Sequence, residues 1–179
     1  MKTGTDVRIS PQAVIVNADL VEMGDHVAID PFTVITTAAT LGSYIHIAPH
    51  CTVIGGRNGK LVMGDFTGLA AGCRIICSTD DYSGLGLINP TVPMKYRVVT
   101  CTTITLGRFV TLGTNVIVLP GVTIGEGAVV GAGSIVNRDL EPWRIYAGSP
   151  VRPIGQRNRD KILAYAEEIM RSKANPTSA

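Results

Sequence analysis

The chain has 179 residues, of which 17% are charged and 5% aromatic, and its formal net charge is +2. That length suits one domain, and 53 Val, Ile, Leu and Met residues supply ample apolar surface for a core, which excludes disordered, collagen-like and low-complexity classes. The interspersed charges offer neither a basic stripe for nucleic acid nor a polybasic face for a membrane.

The N-terminal MKTGTDVRIS lacks an apolar signal segment, and no run approaches the roughly 20 apolar residues that span a bilayer, so a cytoplasmic protein is expected. Cys51, Cys73, Cys77 and Cys101 form no CxxC pair and read as reduced thiols.

A period of six organises the chain. Ile9 and Ile15, then Met23, Ile29, Ile35, Leu41, Ile47 and Val53, then Met63, Leu69 and Ile75, and finally Leu106, Leu112, Val118, Ile124, Val130 and Val136 fall at successive steps of six within each run. All 17 lead positions are aliphatic or Met. Gly follows the lead at 24, 42, 64, 107, 113, 125 and 131, and small residues such as Ala39, Cys51, Thr67, Cys73, Ala128 and Ser134 recur at the fifth place. Short strands with inward aliphatics, joined by turns that use Gly or Asn for positive φ, stack into a solenoid. The fold expected is an all-β, hexapeptide-repeat parallel β-helix. Three hexads per triangular coil give five to six coils.

Two stretches interrupt the frame, Gly55–Val62 and Ser78–Thr103, and both read as outward loops. The second is too long for a casual connection, and Tyr82, Pro90, Pro93, Met94 and Tyr96 suggest an ordered arm. Beyond Pro142 and Pro150 a helix is expected, capped near Asn158 and presenting Ile162, Leu163, Ala166, Ile169 and Met170 at helical spacing, followed by a fraying KANPTSA tail. The organisation is thus a solenoid over 1–154 carrying an external loop at 78–103, with helix and tail over 155–179.

The segment Thr103–Ile154, with its VLPGVTIG, GAGSIV and AGSP pieces, resembles the closing coils of the hexapeptide-repeat acyltransferases, notably the galactoside, maltose and xenobiotic acetyltransferases and the sugar acetyltransferases of surface-polysaccharide (lipopolysaccharide, O-antigen) pathways. Ser78-Thr79-Asp80-Asp81-Tyr82-Ser83-Gly84 is similar to a stretch in a subgroup of polysaccharide O-acetyltransferases. The resemblance implies a left-handed coil, a homotrimer, acetyl-CoA in a groove between neighbouring subunits, no metal, and transfer of acetyl to a sugar hydroxyl or amine. Position by position it implies that Thr114, Ala132, Asn137, Arg138 and Arg152 line the CoA groove. Arg138 and Arg152 suit its phosphates.

Acyl transfer from a thioester needs the acceptor to lose a proton, a task for imidazole. Three histidines exist. His26 lies far from the CoA-like block and reads as a packing residue. His46 and His50 avoid lead positions and should point outward. His50 shares its hexad place with the base of the bacterial sugar-4-amine acetyltransferases, in a similar His-x-x-Val-Ile-Gly stretch. In galactoside-type enzymes the base falls where this chain has Asp80, so Asp80 and Asp81 are further candidates as base, as orienting groups or as ligands of the sugar. The expected acceptor site is the long loop, with Asp80, Asp81, Tyr82, Asn89, Lys95 and Arg97; the last two could pair a diphosphate. An amine acceptor that arrives neutral would need positioning more than a base. Two other classes fit the same fold: a γ-type carbonic anhydrase with histidine-bound zinc, and a non-catalytic scaffold.

Overall fold

The computed structural model describes residues 1–174, with side chains through residue 172. Strands mostly of two to four residues wind into three parallel sheets. Sheet one stacks Lys2–Thr3, Val21–Met23, Ala38–Leu41, Lys60–Met63, Thr103–Leu106 and Thr123–Ile124. Sheet two stacks Arg8–Ile9, Val27–Ile29, Ile45–Ile47, Gly68–Leu69, Thr111–Leu112 and Val129–Val130, then adds Arg144–Ala147 in parallel and Arg152–Gln156 antiparallel. Sheet three stacks Val14–Ile15, Val34–Ile35, Thr52–Ile54, Arg74–Ile76, Ile117–Val118 and Ile135–Val136. The result is a left-handed β-helix.

Registers keep each lead residue above its counterpart, as in Ile29, Ile47, Leu69, Leu112 and Val130 of sheet two. These side chains are 0–2% exposed, and burying each stabilises the fold by about 1.5–3 kcal/mol before chain entropy is counted. The described residues form six complete coils and begin a seventh, through the bridge of Leu140 to Ile124 and the strand Arg144–Ala147. This slightly exceeds the expected five to six. The extra turns come from the ends, where the aliphatic frame does not reach: Thr3 is exposed in the first strand, and Leu140 and Tyr146 fall out of step after Val136.

The corners depart from the expected Gly and Asn. Between sheets one and two, Asp6, His26, Tyr44, Phe66, Phe109, Gly127 and Trp143 all have φ between 51° and 69°. A left-handed conformation costs a non-Gly residue about 1–3 kcal/mol. Here the rings stack on one another, His26 on Tyr44 at 4.7 Å, Tyr44 on Phe66 at 4.6 Å and Phe66 on Phe109 at 5.3 Å, contacts worth about 0.5–1.5 kcal/mol each beyond their buried area. Gly127 interrupts the column because Trp143 covers it and continues the stack onto Phe109 at 5.9 Å.

The first interruption is narrower than the sequence suggests. Only Gly56–Asn58 leaves the coil, as a 3-10 turn, while Lys60–Met63 is a full strand of sheet one. Gly55 and Gly59 share one corner, and a Cβ on Gly55 would meet Cys77 Cβ at 2.8 Å. The second interruption is a β-ribbon. Ser78–Asp80 pairs antiparallel with Val99–Cys101, and residues 81–98 form the arm beyond it. The helix Arg159–Ala174 starts where expected, with Asn158 Oδ1 accepting the Lys161 N–H at 3.1 Å. Lys173 and Ala174 of the expected tail are thus helical, and residues 175–179 lie outside the described residues. Among the described residues no helix is long and apolar enough to cross a membrane.

Substituting Gly127 by Ala sets a methyl group against the Trp143 ring on a left-handed backbone, so stability should fall by about 1–3 kcal/mol. Denaturant unfolding followed by the single tryptophan checks this. An unchanged midpoint and emission maximum would mean that the ring does not cover Gly127.

Candidate functional site

Because the inward residue of each short strand is aliphatic, its neighbours point outward, and corners and insertions carry the remaining chemistry. Four concavities gather seven of the thirteen candidates.

One lies at the corner between sheets three and one, under the insertion. Its cavity of about 560 Å³ is walled by Thr36, Ile54 and Gly55–Asn58 on one side and by Ser78, Asp80, Pro90, Met94, Arg97, Val99 and Cys101 on the other. Asp80 and Arg97 meet in it: Nε and Nη2 of Arg97 donate to Oδ1 of Asp80 at 3.0 and 2.7 Å. Their side chains are 15% and 13% exposed. Arg97 therefore differs from the outward cation expected for a diphosphate, since its guanidinium is spent on Asp80.

Asp81 is turned the other way. Its carboxylate accepts the Leu85 N–H at 2.9 Å and both the N–H and hydroxyl of Ser83 at 2.9–3.0 Å. The backbone bond from Leu85, followed by the Ser83 hydroxyl, holds its acid below the ordinary aspartate range. This makes Asp81 a loop-closing group and ill suited to take a proton, in contrast with its candidacy as base. Asn89 likewise serves the arm, Oδ1 accepting the Thr91 N–H at 3.0 Å. Lys95 lies 4.8 Å from the Tyr96 ring centroid and lines a cavity of about 400 Å³ within the arm, while Tyr82 stands 80% exposed.

A second cleft, of about 570 Å³, lies at the same corner near the C-terminal end and is lined by Asn137, Arg138, Pro150, Val151, Arg152 and Pro153. Three of the five expected CoA residues thus come together, two of them guanidinium groups. Arg138 Nη2 also donates to the Val151 carbonyl at 3.3 Å. Thr114 and Ala132 do not join them. They occupy successive rungs at the corner between sheets two and three, where the Gly133 N–H donates to the Thr114 carbonyl at 2.8 Å. A Cβ on Gly113 would lie 2.6 Å from the Ala132 nitrogen, the same close approach that Gly64, Gly107 and Gly125 make at their corners.

His26 and His46 border one trough, and His50 stands apart at another corner. His50 has φ 62° at the corner between sheets two and three, stacks on Phe32 at 5.0 Å, and its carbonyl accepts Arg74 Nη1 at 2.6 Å. His46 projects from sheet two, with Nε2 2.9 Å from Asp30 Oδ2, and borders a trough of about 880 Å³ with Arg8, His26, Asp30 and Tyr44. His26 pairs with Asp6 at 2.8 Å and stacks in the aromatic column. Only His46, of the two candidates, has the carboxylate partner that orients a base; sequence reading missed Asp30 because nothing in the hexad marks which outward neighbours meet. It also missed the Gly55–Asn58 wall of the Asp80 cavity, for which the two glycines flanking Arg57 and Asn58 were the available signal.

Within one chain, His50, Thr114 and Ala132 lie at one edge of sheet three, and Asp80, Asn137 and Arg138 at the other. The sheet's outer surface between them is mainly apolar, interrupted by Thr52 and the exposed Arg74. Val14, Val16 and Ile54 are 41–61% exposed, and Ile76, Ile117 and Leu119 are half-buried, whereas sheet one turns Glu22, Thr40, Lys60, Thr105 and Thr123 outward.

The family described as bacterial transferase hexapeptide (six repeats) matches residues 103–138. The chain is 35% identical over 174 residues to the dTDP-4-amino-4,6-dideoxy-D-glucose acyltransferase of Escherichia coli, covering 96% of this chain and 88% of that one. It superposes on AntD, an N-acyltransferase from Bacillus cereus in complex with dTDP and 3-hydroxybutyryl-CoA, with a TM-score of 0.91 and 36% identity over 97% of this chain and 92% of the other. A single-residue variant of AntD in complex with dTDP-4-amino-4,6-dideoxyglucose and coenzyme A gives 0.91 and 37% identity, over 96% and 90%. A maltose O-acetyltransferase from Clostridium difficile shares the fold alone, at a TM-score of 0.60 and 20% identity over 88% of this chain and 70% of that one.

The Asp81 turn yields a pH test. A carboxyl whose folded value is lowered stabilises the turn above its ordinary value, near 3.9, and that contribution disappears as pH falls through the lowered value. Carboxyl NMR should show Asp81 titrating below ordinary aspartates, with the 81–85 turn intact at neutral pH and opening only in stronger acid. An ordinary titration would remove the turn as the explanation of its geometry.

Proposed function

The chain belongs to the hexapeptide-repeat acyltransferases, and from that premise we propose that it moves an acyl group from acyl-CoA to the amine of a nucleotide-linked 4-amino sugar. The observation that carries this reading is identity of 35–37%, over nearly the whole length, with relatives named for that acceptor or bound to it and to coenzyme A. Amide formation joins the amine nitrogen to the thioester carbonyl carbon and breaks the C–S bond, and the proton lost by the amine ends on the coenzyme thiol. His50 stands at a different corner from His26 and His46, so one chain does not gather the three histidines that the zinc hydratase alternative needs.

The chain's own groups divide that work. Arg138, Arg152 and Asn137 suit the phosphates of the donor, through charge-assisted bonds from a cleft of the right corner. Asp80 stands on the ribbon that leaves the same corner two coils away, in a cavity that receives the amine. Thr114 and Ala132, on the opposite edge of sheet three, let a pantetheine arm approach the backbone. These two edges meet in one groove when copies of the chain pack through the apolar face of sheet three, and a homotrimer is the closed ring this family's resemblance implies. A second reading keeps His46, oriented by Asp30, as general base; the 2.9 Å contact favours it, and it matters most for a hydroxyl acceptor.

The test supplies dTDP-4-amino-4,6-dideoxyglucose with acetyl-CoA and, separately, 3-hydroxybutyryl-CoA, and reads thiol release and the N-acyl product. Arg152→Ala should raise KM for the donor about tenfold to a hundredfold, the loss of a charge-assisted hydrogen bond, with KM for the sugar unchanged. An unaltered donor KM, or no amide with either donor, would contradict the assignment.

A further inference from the structure

The ion pair at the base of the insertion is asymmetric in a way that its burial makes informative. A guanidinium can meet both oxygens of a carboxylate through parallel N–H bonds. Arg97 instead places Nε and Nη2 on the same oxygen of Asp80, at 3.0 and 2.7 Å. Oδ2 accepts neither and is not buried without a partner, so solvent reaches it, on a residue that lines the cavity between Gly55–Asn58 and the ribbon. Leaving a carboxylate oxygen unpaired beside a buried guanidinium forgoes a strong bond, a choice that makes sense where another donor is to arrive.

We propose that Arg97 is a positioning residue, which fixes Asp80 through Oδ1 so that Oδ2 alone is presented to the amine of the acceptor. The inference rests on the amino-sugar reading above and assigns a role to a residue that does not touch substrate. The ribbon supports it. The Asp81 N–H donates to the Val98 carbonyl at 2.9 Å and the Arg97 N–H to the Met94 carbonyl at 3.0 Å, so the backbone that carries Arg97 is tied into the arm. An N–H of the amine bonded to Oδ2 leaves the nitrogen lone pair directed away from the carboxylate, and Asp80 receives or relays the proton released as the amide forms. Without Arg97 the aspartate side chain rotates freely about χ1 and χ2, and the amine loses its orientation.

A double-mutant cycle tests this. Turnover and both KM values are measured for the wild type, Arg97→Gln, Asp80→Asn and the double variant, with a thermal midpoint for each. The expected result is a loss of about tenfold to a hundredfold in kcat/KM for the amino sugar in Arg97→Gln, the size of effect that misplacement of a reacting group produces, while KM for acyl-CoA stays unchanged. In the Asp80→Asn background the same substitution should cost almost nothing, because its partner's function is already gone. Equal losses in both backgrounds overturn the proposal, as does a loss that simply tracks the thermal midpoint. Arg97→Lys, which keeps the charge without the two-donor plane, guards against a variant that fails to fold; it should also be impaired toward the amino sugar, and full activity in it overturns the proposal. A wild type that acylates the amino sugar while the cycle shows independent effects removes only the role of Arg97, whereas a wild type that leaves the sugar unacylated removes the acceptor reading with it.

Discussion

Strands of two or three residues leave this protein almost no freedom in where side chains point. One residue of each must enter the column of lead aliphatics, and its neighbours are thereby committed to the outer surface. A slip of one residue would bury Arg74, His46 and Glu22 and expose Ile75, Ile47 and Met23. The columns cannot tolerate that, so the register of the core sets the outside of the molecule as well. His46 on sheet two, the apolar surface of sheet three and the aromatic corner are all consequences of one inward choice repeated along the chain.

The period of six and the residues that occupy it made the solenoid legible, because burial imposes a pattern along the sequence itself. Corners were legible only in part. Gly and Asn announce positive φ, but Tyr44, Phe66 and Phe109 adopt it for stacking with residues about a coil away or more, and no local signal reports that. The candidate site shows the same division. Asp80, Arg138 and Arg152 could be singled out by motif and chemistry, whereas the pairing of Asp80 with Arg97, 17 residues apart, depends on the ribbon Ser78–Asp80 and Val99–Cys101. Asp81 looked equivalent to Asp80 in sequence. The Ser83 and Leu85 amides separate them, one carboxylate closing a turn and the other lining a cavity.

The proposed function draws on how the edges of sheet three are furnished. Arg138, which the proposed reading assigns to the donor, and the Asp80 cavity share one edge, while Thr114, Ala132 and His50 share the other. A rigid prism cannot fold one edge onto the other, so a groove that uses both needs a second copy, and the apolar surface between them gives that copy something to bury. Sheet one, which turns Glu22, Lys60 and Thr123 outward, offers a less apolar centre for such a contact. In the proposed trimer, assembly and chemistry are one problem: the face that joins the copies also sets the distance between donor and acceptor.

The most direct test of this account is to place a charge on that face, by Ile117→Glu, and to measure sedimentation and acyl transfer on the same sample. Ile117 points outward and its side chain is not part of the core, so the β-rich circular dichroism should persist. The account predicts a folded monomer that no longer transfers acyl groups. A variant that remains folded, sediments as a monomer and still acylates the amino sugar at the wild-type rate would contradict it.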